Sequence, residues 1–270
     1  MGDDNTERKK RKSKWTTSYS NMTMADSEKR LGIRFRNIRW VSVDKMLAEC
    51  NYTMEDEDWA VNTKDEVYKR IVQYLVVEGY PSEEDPDFKE ANVSDLVLHV
   101  ISPIIFDFII KTGRKGVTLS REREIVATDS ETGGTEEFVV VDQISVTAEK
   151  FVLIIEAKRS FVGQAMKQCL LSLKDARDNN GGGAVYGFVT TGENWRMIRY
   201  DGTSFRKTRN IMAVFDGMNE DKELWMKDCS VLVDCLFAAM SNGGMTAGNT
   251  TLIDGGPLER SEGGGEASHE

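Results

Sequence analysis

Apolar residues recur at helical spacing in four segments of the chain, and each segment predicts an α-helix. The predicted helices cover residues 63–78, 92–111, 161–179 and 221–240. Thr63 opens the first helix with a capping-box pattern, and Gly79 follows its last turn. The glycine-rich sequence after Asn179 ends the third helix in the same way.

Shorter apolar runs that are rich in β-branched residues predict strands. These strands cover residues 116–128, 137–146, 151–158, 184–190 and 195–200. The polar residues 147–150 predict the turn of a β-hairpin between two of these strands. The run 184–190 is apolar throughout, which predicts burial on both faces and a central position in the sheet.

The predicted hairpin carries charged residues where its apolar runs end. Asp142 follows three valines, and Glu156-Ala-Lys158 follows four apolar residues. Because side chains alternate along a strand, Glu156 and Lys158 share one face. A turn centred near Glu149 places Asp142 opposite Glu156, with Cβ atoms about 5 Å apart. Two carboxylates and an ammonium held together in this way require a divalent cation or a tight ion pair.

Other polar residues after the hairpin extend this candidate site. Gln164 and Gln168 are four residues apart and therefore share one face of the following helix. Either amide can hold a ligand carboxylate or a phosphate oxygen, and the carbonyl of Ala157 can add a metal ligand. Arg159 and Lys167 lie nearby in the sequence, where they can contact a nucleic-acid backbone.

Residues 94–205 resemble the PD-(D/E)xK nuclease superfamily. The resemblance depends on the Asp, the Glu-x-Lys triplet after an apolar strand, and the glutamine-bearing helix. The resemblance implies that Asp142 and Glu156 are metal-binding acids and that Lys158 is the catalytic lysine. It implies that Gln168 or Gln164 is an auxiliary glutamine and that the cofactor is Mg²⁺ or Mn²⁺. The sequence departs from the pattern in having no Pro before Asp142.

The same resemblance implies the fold class, which is α/β with a restriction endonuclease-like core: a mixed central sheet flanked by helices. Residues 92–240 form this core with its closing helix, and residues 29–91 form an N-terminal helical elaboration. In that family the helix before the sheet sometimes carries another acid, for which Asp95 and Asp107 are the options. Asp95 is equally well explained as a first-turn acid that complements the helix dipole. Residues 185–195 also resemble uncharacterised fungal proteins, some of them linked to Crinkler-type effectors.

Charge and composition modify this picture. The net charge of −10 opposes nucleic-acid binding, because phosphate neutralisation needs clustered Lys and Arg. The charge is uneven, since residues 1–45 hold twelve Lys and Arg against six acids, and residues 55–95 hold four against thirteen. A local basic surface is therefore compatible with the negative total.

Composition also limits the other function classes. No apolar run approaches the roughly 20 residues of a membrane span, so no membrane partner is expected. The four cysteines have no zinc-site spacing and are expected to be reduced thiols of an intracellular protein. Only two histidines are present, which disfavours a His-based triad or zinc site.

Both ends of the chain are polar, and residues 1–28 and 241–270 are predicted to be disordered. Within the first tail, Lys9, Lys10, Arg11 and Lys12 belong to a basic run of the nuclear-import type. The alternatives for this run are a nonspecific arm for nucleic acid and a solvated tail.

These features predict a Mg²⁺-dependent nuclease that hydrolyses phosphodiester bonds of DNA in the nucleus. In this hypothesis Asp142 and Glu156 are metal ligands, and Lys158 is the catalytic base. The alternative is a catalytically silent nuclease-fold protein that acts through interactions in the nucleus as an effector. The net charge and the acidic region 55–95 motivate this alternative. The sequence leaves open DNA versus RNA, the mode of cleavage and the oligomeric state.

Overall fold

The structure is a computed structural model that describes residues 14–50, 57–81, 87–160 and 162–245. The predicted import run with Lys9, Lys10, Arg11 and Lys12 lies outside these residues. The same holds for most of the predicted C-terminal tail, from residue 246 onward.

The described chain alternates between helices and strands. The N-terminal elements are β1 (Thr17–Ser18), α1 (Met24–Leu31), β2 (Arg39–Val41), α2 (Val43–Glu49), α3 (Glu57–Glu78) and α4 (Glu90–Thr112). The central elements are β3 (Val117–Val126), β4 (Thr132–Ser145), β5 (Ala148–Ala157), α5 (Val162–Asn179), β6 (Val185–Thr190), β7 (Asn194–Tyr200), β8 (Phe205–Thr208) and β9 (Ile211–Met212). The last are α6 (Lys222–Leu224), a π-helical segment (Trp225–Cys229) and α7 (Val231–Asn242).

The nine strands form one mixed sheet, which confirms the predicted α/β class with a mixed central sheet flanked by helices. Its main order is β1-β4-β5-β6-β7-β8-β2, with β3 added beside β4 and β9 beside β7. Strands β3, β4 and β5 are antiparallel neighbours, whereas β5 and β6 run parallel and are joined by α5. Every residue of β6 is buried, so its predicted central position is confirmed.

Two hydrophobic clusters cover the two faces of the sheet. Helices α3, α4 and α7 pack on one face, where Leu96 and Leu236 belong to the larger cluster. Helices α1 and α5 cover the other face, around Leu170. By length and apolar composition α4 is the one described helix that could cross a membrane, but 56% of its apolar window is buried in this core.

The disorder predicted for residues 14–28 is wrong, because these residues form β1 and most of α1. The Tyr19 side chain is buried, and its hydroxyl donates to Asp175 over 2.8 Å. Gly134 of β4 makes room for this ring, since a Cβ there would lie 2.4 Å from Tyr19. A two-residue strand and an eight-residue helix leave too little periodicity for the sequence pattern to show.

Helix α4 begins two residues before the predicted start. Lys89 is its N-cap residue, and the Asn92 side chain accepts a hydrogen bond from the Lys89 backbone N–H over 2.9 Å. Glu90 therefore belongs to the first helical turn. This shift brings a carboxylate to the edge of the sheet where β5 ends.

Candidate functional site

The β4–β5 hairpin has a different register from the predicted one. Asp142 pairs with Lys150, and Phe138 pairs with Ile155. The turn lies between Ser145 and Ala148, two to three residues before the predicted centre. Each residue of displacement of the turn moves the cross-strand partner by two, so the expected pairing of Asp142 with Glu156 is wrong.

Asp142 lies in the C-terminal half of β4, away from the residues around Glu156. It accepts hydrogen bonds from Nε and Nη2 of Arg114 over 3.1 and 2.5 Å. Arg114 also donates to the carbonyl oxygen of Met240 over 3.1 Å. At about 3.3 Å per residue, Asp142 is about 16 Å along the strand from Glu137, so it cannot share a metal ion with Glu156.

Glu156 is the centre of the polar group at the end of β5. Its side chain is 1% exposed, and its Oε1 accepts a hydrogen bond from Nε2 of Gln168 over 2.7 Å. Nζ of Lys158 lies 3.4 Å from the same oxygen. The predicted proximity of Glu156, Lys158 and the helical Gln168 is thus confirmed.

Lys158 lies at the mouth of a cleft of about 570 Å³. Its Nζ donates to Oε1 of Glu90 over 2.6 Å, which connects the end of β5 to the first turn of α4. Gln164 and Arg159 also line the cleft. Their predicted contacts with a ligand or with nucleic acid stay predictions.

Two further glutamates, Glu136 and Glu137, enter the site from β4, and the sequence analysis did not select them. Glu137 directly precedes Phe138, which pairs with Ile155, the residue before Glu156. Glu137 is half-buried and accepts a short hydrogen bond from Oγ of Ser94 on α4.

Glu136 is fully buried on the α5 side of the sheet, close to Glu156 and Ser172. Among the described residues, both carboxyl oxygens of Glu136 and one oxygen each of Glu137 and Glu156 are buried without a hydrogen-bond partner. Buried carboxylate oxygens are costly unless a proton, a donor or a cation satisfies them. The site therefore has acceptors in excess of its donors.

The electrostatics of the site reflect this excess of acids. Burial, followed by the charge of Glu156, raises the pKa of Glu136 well above its usual value. Burial also raises the pKa of Glu156, although Lys158 opposes the shift. For Glu137, burial raises the pKa to about 7. The carboxyl group of Glu137 therefore favours either a bound proton or a nearby cation.

The charge state of Lys158 favours a role other than the one predicted for it. Burial opposes its charge, but the carboxylates of Glu156 and Glu90 outweigh this effect and raise its pKa above the ordinary value. The ammonium group therefore keeps its proton at neutral pH. Its electrostatics favour a cation that stabilises negative charge over the general base that the sequence analysis predicted.

Lys167 is not available to contact nucleic acid, so that prediction is wrong. Its side chain is 2% exposed, and Nζ donates to the backbone oxygens of Ser20 and Met22 over 3.1 and 2.6 Å. The basic side chain fixes the segment after β1 to α5. Ala157 is fully buried with its backbone N–H toward the Glu137 carboxylate, and its carbonyl as a metal ligand stays a prediction.

Neither acid that the sequence analysis considered on α4 reaches the site. Asp95 is exposed and lies 3.7 Å from Arg121, and Asp107 accepts a hydrogen bond from Thr63 over 2.8 Å. Glu90 is the acid of α4 that reaches Lys158. The capping role of Asn92 is the sequence signal that would have placed Glu90 inside the helix.

The donor set fits a hard divalent cation in chemistry. Carboxylate oxygens are the ligands that Mg²⁺ and Mn²⁺ prefer, and Glu137 and Glu156 each offer an unpartnered oxygen. Within the described part of the chain, no group of three or more His, Cys, Asp or Glu side chains is arranged to hold a metal ion. No protein-family model matches the chain, and a search of curated proteins finds no match.

Proposed function

We propose that this protein is a Mg²⁺- or Mn²⁺-dependent nuclease with a restriction endonuclease-like core that hydrolyses phosphodiester bonds of DNA. The observation that carries the proposal is the buried Glu156 carboxylate, which contacts Gln168 and Lys158 at the end of a central strand. Glu137 replaces Asp142 as the acid on the preceding strand. The order α4, β3, β4, β5, α5, β6 supports the proposed core.

Glu156 and Glu137 would hold the cation, and Gln168 orients Glu156 through its amide. When bound, the cation supplies charge neutralisation at the phosphate and lowers the pKa of a water ligand. Glu136 lies behind Glu156, and burial raises its pKa well above the usual value, which favours its protonated form. When protonated, Glu136 would donate to Glu156 and relieve the repulsion between the two carboxyl groups.

Lys158 would stabilise the negative charge that develops on the phosphate oxygens. Its ammonium group is held between Glu156 and Glu90 at distances of 3.4 and 2.6 Å. A cation fixed in this way needs no rearrangement when the charge of the transition state develops. Arg159 and Gln164 line the same cleft and would contact the bound strand.

The test is DNA cleavage by the purified protein, on plasmid and linear substrates with Mg²⁺ or Mn²⁺. Loss of a group that stabilises transition-state charge typically costs about 100-fold or more, which we expect for Lys158→Met and Glu156→Gln. Glu137→Gln should have a similar effect. Asp142→Asn is the matched control, since it changes an acid of the same strand outside the site.

The outcomes separate the proposal from its alternative. Cleavage that survives in Lys158→Met and Glu156→Gln would refute the site. No cleavage by folded wild-type protein in either metal would favour the catalytically silent interaction protein. Far-UV circular dichroism and melting curves of each variant exclude loss of folding as the cause.

A further inference from the structure

An exposed tryptophan on the edge strand lies against two cationic side chains. Trp40 of β2 is 49% exposed. Nζ of Lys207 lies 4.4 Å from the centroid of its indole ring, and the guanidinium carbon of Arg196 lies 4.9 Å away. Lys207 lies on β8, where it pairs with Trp40, and Arg196 lies on β7, the next strand of the sheet.

The two cations have no acidic partner among the described residues. Arg196 donates to the neutral side chain of Asn210 over 2.7 Å, and its Nε is buried without a hydrogen-bond partner. Burial lowers the pKa of both side chains, and Arg196 lowers that of Lys207 further by repulsion. Two adjacent cations without a counter-ion are unusual in a chain with a net charge of −10. Among the described residues no carboxylate pairs with either cation, so the two side chains suit an anion from outside this part of the chain.

The cluster shares a face of the sheet with Glu156. Glu156 of β5 pairs with Val189 of β6, and Val189 pairs with Arg196 of β7. The three side chains form one row, and Ile154 and Ile198, two residues from Glu156 and Arg196, belong to the cluster on the α5 face. Two strand spacings separate the backbones of Glu156 and Arg196, or about 10 Å.

We propose that Trp40, Arg196 and Lys207, here called the Trp40 surface, bind a single strand of nucleic acid. A base stacks on the indole ring, and the adjoining phosphates contact the two cations. The proposal concerns binding, and it shares only the nucleic-acid substrate with the proposed function.

The test is fluorescence anisotropy of labelled 20-nucleotide strands in buffer with EDTA, so that no cleavage can occur. The probes are single-stranded DNA, single-stranded RNA of the same sequence, and the DNA duplex. We expect Trp40→Ala to weaken single-strand binding about tenfold, since one base–aromatic stack is lost, and Trp40→Phe to retain most of the affinity. The control Phe106→Ala, which removes a 64% exposed aromatic residue from α4, should bind like wild type.

The salt dependence tests the two cations separately from the ring. In the double variant Arg196→Gln/Lys207→Gln, the slope of log K against log salt should fall by about 1.4, at about 0.7 for each lost phosphate contact. Lys111→Gln is the matched charge control, because Lys111 lies 4.7 Å from the centroid of the Trp59 ring, on an element of the other face.

Equal affinity of wild type and Trp40→Ala, or an unchanged salt slope in the double variant, would overturn the proposed surface. The relative affinities of the DNA and RNA strands identify the preferred strand, and tighter duplex binding that ignores Trp40 would also overturn the proposal. Trp40-dependent binding without any cleavage in Mg²⁺ would refute the nuclease and leave the surface standing. Cleavage together with binding that does not depend on Trp40 would support the nuclease and overturn the Trp40 surface.

Discussion

The two halves of strand β4 both carry acids beside basic side chains, but the charges are balanced in only one of them. In the C-terminal half, here called the Asp142 end, one carboxylate accepts two hydrogen bonds from Arg114. In the N-terminal half, here called the Glu137 end, Glu136, Glu137 and Glu156 share a small region with Lys158, and several of their oxygens have no partner among the described residues. The same strand thus carries a satisfied ion pair in one half and an excess of negative charge in the other.

This difference separates a structural pair from a candidate site. Arg114 donates to both Asp142 and the carbonyl oxygen of Met240, so the pair connects the hairpin to the end of α7. The acids around Glu156 also contact neighbouring helices, through Ser94 and Gln168, but burial raises the pKa values of Glu136, Glu137 and Glu156. A protein retains such an unfavourable cluster most readily where function requires it.

The first and largest expected effect comes from removing the ion pair between Asp142 and Arg114. We expect Asp142→Ala to lower the free energy of unfolding by about 2 kcal/mol, because a partly buried Arg114 loses its counter-ion. Glu156→Gln should cost less than about 0.5 kcal/mol, since it removes a buried charge from a repulsive group. Urea unfolding monitored by circular dichroism measures both changes.

A second substitution checks the cause of this loss. Adding Arg114→Met to Asp142→Ala removes the unpaired charge, so it should restore part of the lost stability. A loss for Glu156→Gln as large as that for Asp142→Ala would show that both ends are structural, and it would contradict the comparison.

The sequence predicted most of the fold because long periodic segments dominate it. Helices α3, α4 and α5 and the buried strand β6 each have an apolar pattern that suits one element only. The short elements β1 and α1 lacked such a pattern. Their positions depend on tertiary contacts, such as the one between Tyr19 and Asp175, which no local pattern contains.

The site was predicted only where its residues are close in sequence. Glu156, Lys158 and Gln168 are separated by one β-strand end and about two helical turns, so local geometry brings them together. The acid from β4 depended on the position of the turn, and an error of two to three residues selected Asp142 instead of Glu137. A polar segment such as 147–150 does not fix the turn by itself, because residues on the exposed end of a hairpin are polar as well.

The second prediction concerns pH and the Glu137 end. The folded-state pKa of Glu137 is about 7, above the ordinary value of 4.5, so its stabilising contribution is complete below pH 4.5 and is lost as the pH rises through 7. In metal-free buffer, the stability of wild type relative to Glu137→Gln should fall by about 2 kcal/mol over this interval, after allowance for partial exposure. Urea unfolding at intervals of half a pH unit tests this, and parallel curves for the two proteins would contradict it.

The third prediction asks which end of β4 binds a cation. At ten times its dissociation constant, a ligand of the folded state adds about 1.4 kcal/mol of stability. We therefore expect Mn²⁺ or Mg²⁺ at pH 7.5 to raise the melting temperature of wild type by about 4 °C. Asp142→Asn should keep this increase, whereas Glu156→Gln should lose it. An increase that depends on Asp142 and not on Glu156 would place the cation at the wrong end for the proposed site.

The last and smallest effect compares two acids of α4, of which only Glu90 contacts the site. Glu90 is one of two carboxylates that hold Lys158, so Glu90→Gln should slow cleavage about fivefold by loosening the position of the ammonium group. Asp95→Asn should leave cleavage unchanged, because Asp95 is exposed and its ion-pair partner within the described residues is Arg121, at 3.7 Å. Both substitutions should change the free energy of unfolding by less than about 0.5 kcal/mol, as expected for exposed ion pairs. Initial cleavage rates at saturating metal distinguish the two, and equal rates for them would show that Lys158 keeps its position without Glu90.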